Sequence, residues 1–347
     1  MPTMNITSWF QVGWSTDFAV GDVKPLHYFG QDLVAFRDRK GTFCVLDAYC
    51  RHLGANLAYG GCVVDEGIQC PFHGWTWRPD GTNASIPYQD RPSKARLGSW
   101  HTHEADGVVL VWHDPAGRPP LWAPPSSLQE TAPHLASRVF HEAGTHAQSV
   151  YRGTTIHPQM LLENAVDPMH FRFVHGTPDY PKVLREDIDD YTWHSKVGFG
   201  RRWQDGVDRP EDDMGTLHLL WCGTGIAYNA LTDKDRVMMV LIACTPVDET
   251  TTDVFGTYWP EQLPADEQTG QHLTYIENAK LALPDDIEIW GHQRYLTRPA
   301  LATSEGADWR RLRDWSEKLY PVGEEGPHGP VPPRTVDLSP ASAPAGR

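Results

Sequence analysis

The sequence predicts an α+β chain of two domains: an all-β module at the N-terminus, then an antiparallel sheet with helices. Three observations predict it. Short apolar runs alternate with Gly, Pro and Asp as far as residue 114. A stretch crowded with proline then breaks every periodicity. Beyond it comes an interrupted helical pattern, followed by runs with strand character. At 347 residues the chain is also too long for one small core and fits two domains.

Taken in order, residues 26–48 alternate as β-strands do: Leu33 to Phe36, a turn from Asp38 to Gly41, then Phe43 to Leu46. Val63 and Val64, Ile68, and Val108 to Trp112 add further short strands, giving a compact module over residues 1–114. Residues 115–134 carry Pro115, Pro119, Pro120, Pro124, Pro125 and Pro133, so an extended connection along the surface is expected. The second unit, 135–325, begins with a broken helical pattern over residues 157–175. Leu217 to Trp221, Val237 to Thr245 and Val254 to Trp259 then suggest an antiparallel meander. Pro284 suits a helix start, and Ile287, Trp290 and Arg294 share a stripe, which predicts a helix over Asp285 to Leu296. Residues 326–347 are Pro, Gly, Ala and Ser with little to bury, and a disordered tail is expected. No internal repeat is visible.

Bulk composition narrows the function classes. Hydrophobic residues make up 40% and charged residues 22%, as in ordinary globular proteins. The formal charge of −15, uninterrupted by a basic cluster, makes nucleic acid and anionic membrane poor partners. The longest apolar runs fall far short of the roughly 20 residues of a transmembrane helix. Met1 to Phe10 lacks the basic and apolar regions of a signal peptide. A cytoplasmic protein is expected, in which six cysteines are ligands or free thiols.

Four of the candidate ligands form one constellation. Cys50-Arg51-His52 and Cys70-Pro71-Phe72-His73 read C-x-H, a gap of 17 residues, then C-x-x-H. Each half offers one thiolate and one imidazole from a tight turn, with Gly54 and Gly74 close behind. Zinc sites usually pair like ligands locally. Halves that each mix Cys with His suit a [2Fe–2S] centre, one iron taking both thiolates and the other both imidazoles. Zinc and ordinary turn residues are the competing readings. Cys44, Cys62, Cys222 and Cys244 read as small buried hydrophobes.

A second constellation lies at Glu163-Asn164-Ala165-Val166-Asp167-Pro168-Met169-His170, with His175 five residues on. On a regular helix such a pair points about 140° apart, since there are roughly 3.6 residues per turn. His170 and His175 converge only where the helix bends or ends, and Pro168 already disturbs it. Two His and one carboxylate form the facial triad of non-haem iron oxygenases. His141 and His146 resemble the zinc-protease pair but stand one residue too far apart for it. His101 and His103 alternate as on a strand and read as surface or packed residues.

The first constellation, extended as Cys50-Arg51-His52-Leu53-Gly54 and Cys70-Pro71-Phe72-His73-Gly74-Trp75, resembles the Rieske family. Ala55 and Phe72 stand where respiratory members carry two extra cysteines, so the likeness is to the oxygenase and ferredoxin branch. The pattern Asn164-x-x-Asp167-x-x-His170-x4-His175 resembles the mononuclear-iron motif of Rieske oxygenases. That resemblance implies a carboxylate ligand arriving over a hundred residues later on a helix. Asp286 is assigned, with Asp285 as competitor and a helix-dipole carboxylate as the plain alternative. It also implies that Asp167 bridges a mononuclear-iron His to the Rieske His of an adjacent subunit; a helix cap before Pro168 is the plain alternative.

Among Rieske oxygenases the chain resembles the 3-ketosteroid 9α-hydroxylase oxygenase group. The likeness runs through Leu46 to His52, Cys70 to His73, Val111 to Pro115, Thr245 to Glu249 and Asp286 to Trp290. It implies an all-β Rieske [2Fe–2S] domain followed by a helix-grip mononuclear-iron domain, in a homotrimer. The implied cofactors are the cluster and Fe(II), with O2 as co-substrate. Electrons would come from a ferredoxin or ferredoxin reductase, and NAD(P)H would act only through that partner, since no nucleotide-binding glycine fingerprint is present. The implied reaction is hydroxylation of a steroid or similar apolar polycycle. Sterol desaturation or tailoring of a natural product are alternatives, and a non-catalytic electron carrier is the rival from another class. The apolar runs near Leu217 and Met238 suit a substrate pocket or plain core packing.

Overall fold

Val108–His113 is apolar through all but its last residue and is buried at every position. It occupies the middle of a three-stranded sheet, between Ser8–Trp14 and Thr102–Ala105. Only a strand covered on both faces tolerates such a run. This computed structural model describes residues 1–177, 180–199, 215–232 and 236–333.

Two four-stranded antiparallel sheets complete the N-terminal part. One joins Val23–Tyr28, Gln31–Arg37, Phe43–Asp47 and Ser99–Trp100; the other joins Cys62–Val64, Gly67–Gln69, Thr76–Trp77 and Asn83–Ser85. The Leu33–Phe36 and Phe43–Leu46 runs pair as the alternation predicts, Val34 opposite Leu46 and Phe36 opposite Cys44.

A seven-stranded antiparallel sheet dominates the rest. From edge to edge it runs Gln148–Thr154, Thr252–Pro260, Val237–Pro246, Ile226–Thr232, Gly215–Cys222, Thr192–Phe199 and Lys182–Ile188. Six of these strands follow one another as a meander, and the first closes the far edge against Thr252–Pro260. Helical segments Pro158–Leu162, Glu163–Val166 and His170–Phe173, together with helix Ala282–His292, share a cavity with one face of this sheet. The whole is α+β: an N-terminal all-β part and a C-terminal helix-grip part.

The two parts share a core. Trp9, Val12, Phe43 and Val108 to Trp112 pack in one apolar cluster with Ile226, Tyr228, Leu241 and Phe255 of the large sheet. Polar ties reinforce the seam. The Tyr28 hydroxyl donates to Asp253 Oδ2 at 3.1 Å, and the Arg152 guanidinium donates to the same oxygen at 2.5 Å. Burial, with the Asp253 charge adding to it, pushes the Tyr28 hydroxyl far above its usual range, so it stays a donor.

Several elements differ from the sequence expectation. Ile226–Thr232 lies between the first two runs of the expected meander. Polar Asn229 and small Ala227 and Ala230 hide its strand character. The expected helix Asp285 to Leu296 is instead Ala282–His292. Pro284 lies in its first turn, where no backbone donor is needed, and Gln293 turns extended. The proline-rich connection is not a loose wrap: Leu128 and Ala132 are buried, and Trp122 stacks on Tyr191 with ring centroids 4.5 Å apart. Residues 326–333, placed at the head of a disordered tail, carry the end of a hairpin (Glu325–Gly326 with Gly329–Pro330), and Val331 is buried in the core. Residues 334–347 of that expected tail lie outside the described residues.

Candidate metal centres and active site

The two Cys/His loops are built alike. Cys50 N donates to Ala55 O and Gly54 N to Cys50 O; Cys70 N donates to Trp75 O and Gly74 N to Cys70 O. Each loop thus closes on itself by the same two backbone bonds. Gly54 and Gly74 make the turn possible, with φ of +76° and +70°, a region that side chains avoid. Cys50 and Cys70 are buried, and the rings of His52 and His73 meet edge to face at 4.6 Å. Trp75 stacks flat on His52 at 4.7 Å, and Trp77 Nε1 donates to Cys50 Sγ at 3.4 Å.

The donor set fits a Rieske cluster. Burial pushes the Cys50 thiol up, and the neighbouring Cys70 adds to the shift, so thiolates there need positive charge beside them. His52 Nδ1 is buried with no hydrogen-bond partner, as a nitrogen kept for a metal would be. Phe72 is 62% exposed beside His73, and Leu53 is 66% exposed beside His52, so the tip of the module is apolar and open. Of the spare cysteines, Cys44, Cys222 and Cys244 are buried as expected. Cys62 is exposed, because it lies on the edge strand of its small sheet.

The second set is assembled from distant segments. His170 starts a single helical turn that ends at Phe173, and His175 lies just past its end. The helix therefore stops between the two, and their rings come to 5.4 Å at 78°. Asp286, 111 residues past His175, points into the same space from helix Ala282–His292 and is 8% exposed. One donor atom from each of His170, His175 and Asp286 lies within 4.8 Å of the others, and His175 Nε2 is 3.2 Å from Asp286 Oδ1. Asp285, the competitor, is exposed and lies outside the set. His170 Nδ1 donates to the Asp167 carbonyl, so its Nε2 keeps the lone pair. That Nε2 is buried without a partner. Two imidazoles, one carboxylate and an orphaned nitrogen suit a mononuclear iron with open positions.

Asp167 lies between the two helical segments. Its Oδ1 accepts weakly from His170 N at 3.4 Å, and its Oδ2 is 3.9 Å from His170 Nδ1. Burial pushes its carboxyl up, against the pull of His170. The carboxylate thus makes a cap, and a third of it stays exposed for a further contact.

A cavity of about 400 Å³ opens at this set, lined by Phe171, Leu217, Leu219, Trp221, Met238 and Val240 among others. The runs near Leu217 and Met238 therefore line a pocket. Its size and apolar walls suit a small apolar ligand.

Sequence reasoning missed what holds the second set in place. Glu163 is buried and accepts from Arg313 Nε at 2.7 Å and from the Tyr295 hydroxyl at 3.1 Å. This ties the ligand segment to helix Gly306–Glu317. A lone acid inside the apolar stretch Met160 to Val166 was the one hint. His141 is not paired with His146; it contacts Asp266 at 2.9 Å and stacks on His272 at 4.2 Å. Asp266 is already taken by Arg236 and by the Leu263 N–H, and the guanidinium repels a cation, so this corner is structural. His103 Nε2 donates to the Pro125 carbonyl at 3.1 Å, and His101 is exposed.

A Cys2His2 two-loop module and a His2Asp set beside an apolar cavity together define a Rieske-type non-haem iron oxygenase. Comparison with known proteins agrees. Residues 8–102 match the Rieske [2Fe-2S] domain, and residues 111–320 match the 3-ketosteroid 9alpha-hydroxylase C-terminal domain. A 3-ketosteroid-9-alpha-monooxygenase oxygenase component of Mycolicibacterium smegmatis is 30% identical over 92% of this chain and 84% of its own. A cholesterol 7-desaturase of Hemicentrotus pulcherrimus is 36% identical over 91% of this chain and 70% of its own. A crystal structure of dicamba monooxygenase bound to dicamba shares the fold, at a TM-score of 0.65 and 17% identity, covering 92% of this chain and 98% of that one.

The chain belongs to the 3-ketosteroid 9alpha-hydroxylase family of Rieske oxygenases. It is an oxidoreductase that works with a [2Fe–2S] cluster, non-haem iron and O2, fed by a separate reductase or ferredoxin. The carrier reading falls, since the relatives reported above are enzymes, a monooxygenase component and a desaturase. No helix among the described residues is long and apolar enough to cross a membrane.

Proposed function

We propose that this chain is the terminal oxygenase of a multicomponent system that hydroxylates a steroid-like or other apolar polycyclic substrate. The observation that carries the reading is the His170, His175 and Asp286 set at the mouth of an apolar cavity. Cys50, His52, Cys70 and His73 would hold the cluster, and His170, His175 and Asp286 the mononuclear iron. When bound, these groups supply electron storage and dioxygen activation, which no side chain provides.

The chain's own residues do the rest. The Asp167 carbonyl fixes the His170 tautomer and so aims Nε2. Apolar walls keep water from the substrate and leave its orientation to shape. The half-open Asp167 carboxylate would reach the cluster His of a neighbouring subunit. Two exposed apolar groups support such a head-to-tail homotrimer: Leu53, Phe72 and Tyr88 around the cluster loops, and Met169, Phe173 and Tyr180 beside the second set. The working division is a Rieske unit over 1–114, a connection over 115–134 and a catalytic unit over 135–325. Six free cysteines suit the reducing cytoplasm. Sterol desaturation is the second reading, favoured by the 36% identity to a cholesterol 7-desaturase.

The test is reconstitution with a surrogate ferredoxin and reductase, with iron, sulfide and products measured on 3-ketosteroids and sterols. Iron in excess of sulfide, plus a hydroxylated product, is expected; a dehydrogenated product would select the second reading. Iron equal to sulfide, with no product, would overturn both. In Asp167→Asn both centres should persist while turnover falls by about 100-fold, the scale of lost outer contacts at metal sites. Normal turnover there would remove the bridging role.

A further inference from the structure

Three neighbouring strands each present alternate residues to the cavity, and their register sets these in a grid with Asn229 at its centre. Along its strand the neighbours are Ala227 and Leu231, and Leu219 and Val240 pair with it from either side. The four diagonal neighbours, Leu217, Trp221, Met238 and Ile242, are apolar but for the Trp221 indole N–H, which is buried without a partner among the described residues. A lone amide in an apolar floor is costly unless it finds a partner. The fold supplies only long contacts: Nδ2 donates to the carbonyls of Ala227 at 3.4 Å and Val240 at 3.5 Å. Turning the amide over would set its oxygen against those two carbonyl oxygens, so the nitrogen is held toward the backbone. Oδ1 accepts from no group among the described residues. Ala227, Tyr228 and Ala230 are buried while Asn229 keeps some exposure, and the space it faces is the cavity. The other amides there, Asn164 and Asn278, sit on helical segments rather than on the sheet floor.

We propose that Asn229 is a specificity-determining residue whose Oδ1 accepts a hydrogen bond from a hydroxyl on the substrate. The chain then prefers a hydroxylated polycycle to the matching ketone. This deepens the reading above and rests on its apolar-polycycle substrate. A ketone brings only an acceptor, which against Oδ1 leaves two acceptors desolvated and unpaired; a hydroxyl donates and satisfies both. A site with one such acceptor therefore favours the ligand that brings the donor over the analogue that lacks it.

The test uses the holoenzyme and equilibrium binding of three probes: androstanedione and two keto-alcohols derived from it, one reduced at each ketone. At least one keto-alcohol should bind about tenfold tighter than the diketone, the scale of one net hydrogen bond. Asn229→Leu, close in size and suited to its neighbours, should erase that advantage: the keto-alcohol loses its partner, and the diketone no longer meets an unpaired acceptor. If Asn229→Leu does not fold, Asn229→Thr carries the test: its hydroxyl donates as well as accepts, so the diketone should gain on the keto-alcohols. Equal affinities in the unmodified protein, or an advantage that survives these substitutions, would overturn the role of Asn229 and leave the polycycle reading standing. No binding of any probe would overturn both.

Discussion

The two candidate metal-binding regions are held together in opposite ways. The Cys50 and Cys70 loops close on their own backbone, twice over and by the same bonds. Their donors all fall within residues 50–73. The second set joins a one-turn helix, the residue past its end and a carboxylate 111 positions later. It depends on remote contacts such as Glu163 with Arg313. A local site survives damage elsewhere in the fold, whereas an assembled one inherits every weakness of the elements that carry it.

Four experiments press on that contrast, the strongest first. His170→Ala should abolish turnover and remove the mononuclear iron while the cluster's paramagnetic signature stays intact; full product formation would end the assignment. Arg313→Met should leave Glu163 buried without its partner, at a cost of about 3–5 kcal/mol. Urea unfolding should register that loss, and the mononuclear iron should leave before the cluster does. Equal loss at both centres would erase the distinction.

A milder probe is pH. His157 caps the helix that leads to the second set: its Nδ1 accepts from Gln159 N at 3.0 Å, and its Nε2 donates to the Thr3 carbonyl at 3.1 Å. Burial pushes its pKa from 6.5 down to about 4. The unfolded chain therefore takes up a proton that the native state refuses. Stability from this group is complete above pH 6.5 and is lost as pH falls toward 4. At pH 5 the loss should be about 2 kcal/mol, and His157→Asn should flatten that slope in urea titrations. An unchanged slope would take His157 out of the account. The smallest effect is expected at Trp77→Phe, which deletes the donor to Cys50 Sγ. The cluster should remain and its reduction potential should fall, as read by redox titration, because hydrogen bonds to the sulfurs help set that potential. A potential that does not move would mean that the bond is only structural.

The same contrast explains how much could be read beforehand. C-x-H and C-x-x-H are legible because a turn, its glycine and its ligands lie within a few residues. His170 and His175 are legible because their spacing and Pro168 together demand a helix end. Asp286 came only through family resemblance, since Asp285 is its equal in the sequence and only packing turns one inward and the other out. Arg313 and Tyr295 left no trace, because a partner 150 residues from Glu163 obeys no local rule. The central strand Ile226–Thr232 escaped for a telling reason: Asn229, which breaks its apolar pattern, faces the cavity.

The core that runs from Trp9 and Val111 into Tyr228 and Phe255 has a consequence for anyone who would rebuild this chain. The electron-receiving part is not a cartridge. Cutting near residue 114 would lay bare Ile226, Leu241 and Phe255, and the severed halves should aggregate instead of working side by side. In a calorimeter the intact chain should melt in a single event, and a graft from a relative would have to bring its half of the shared core along.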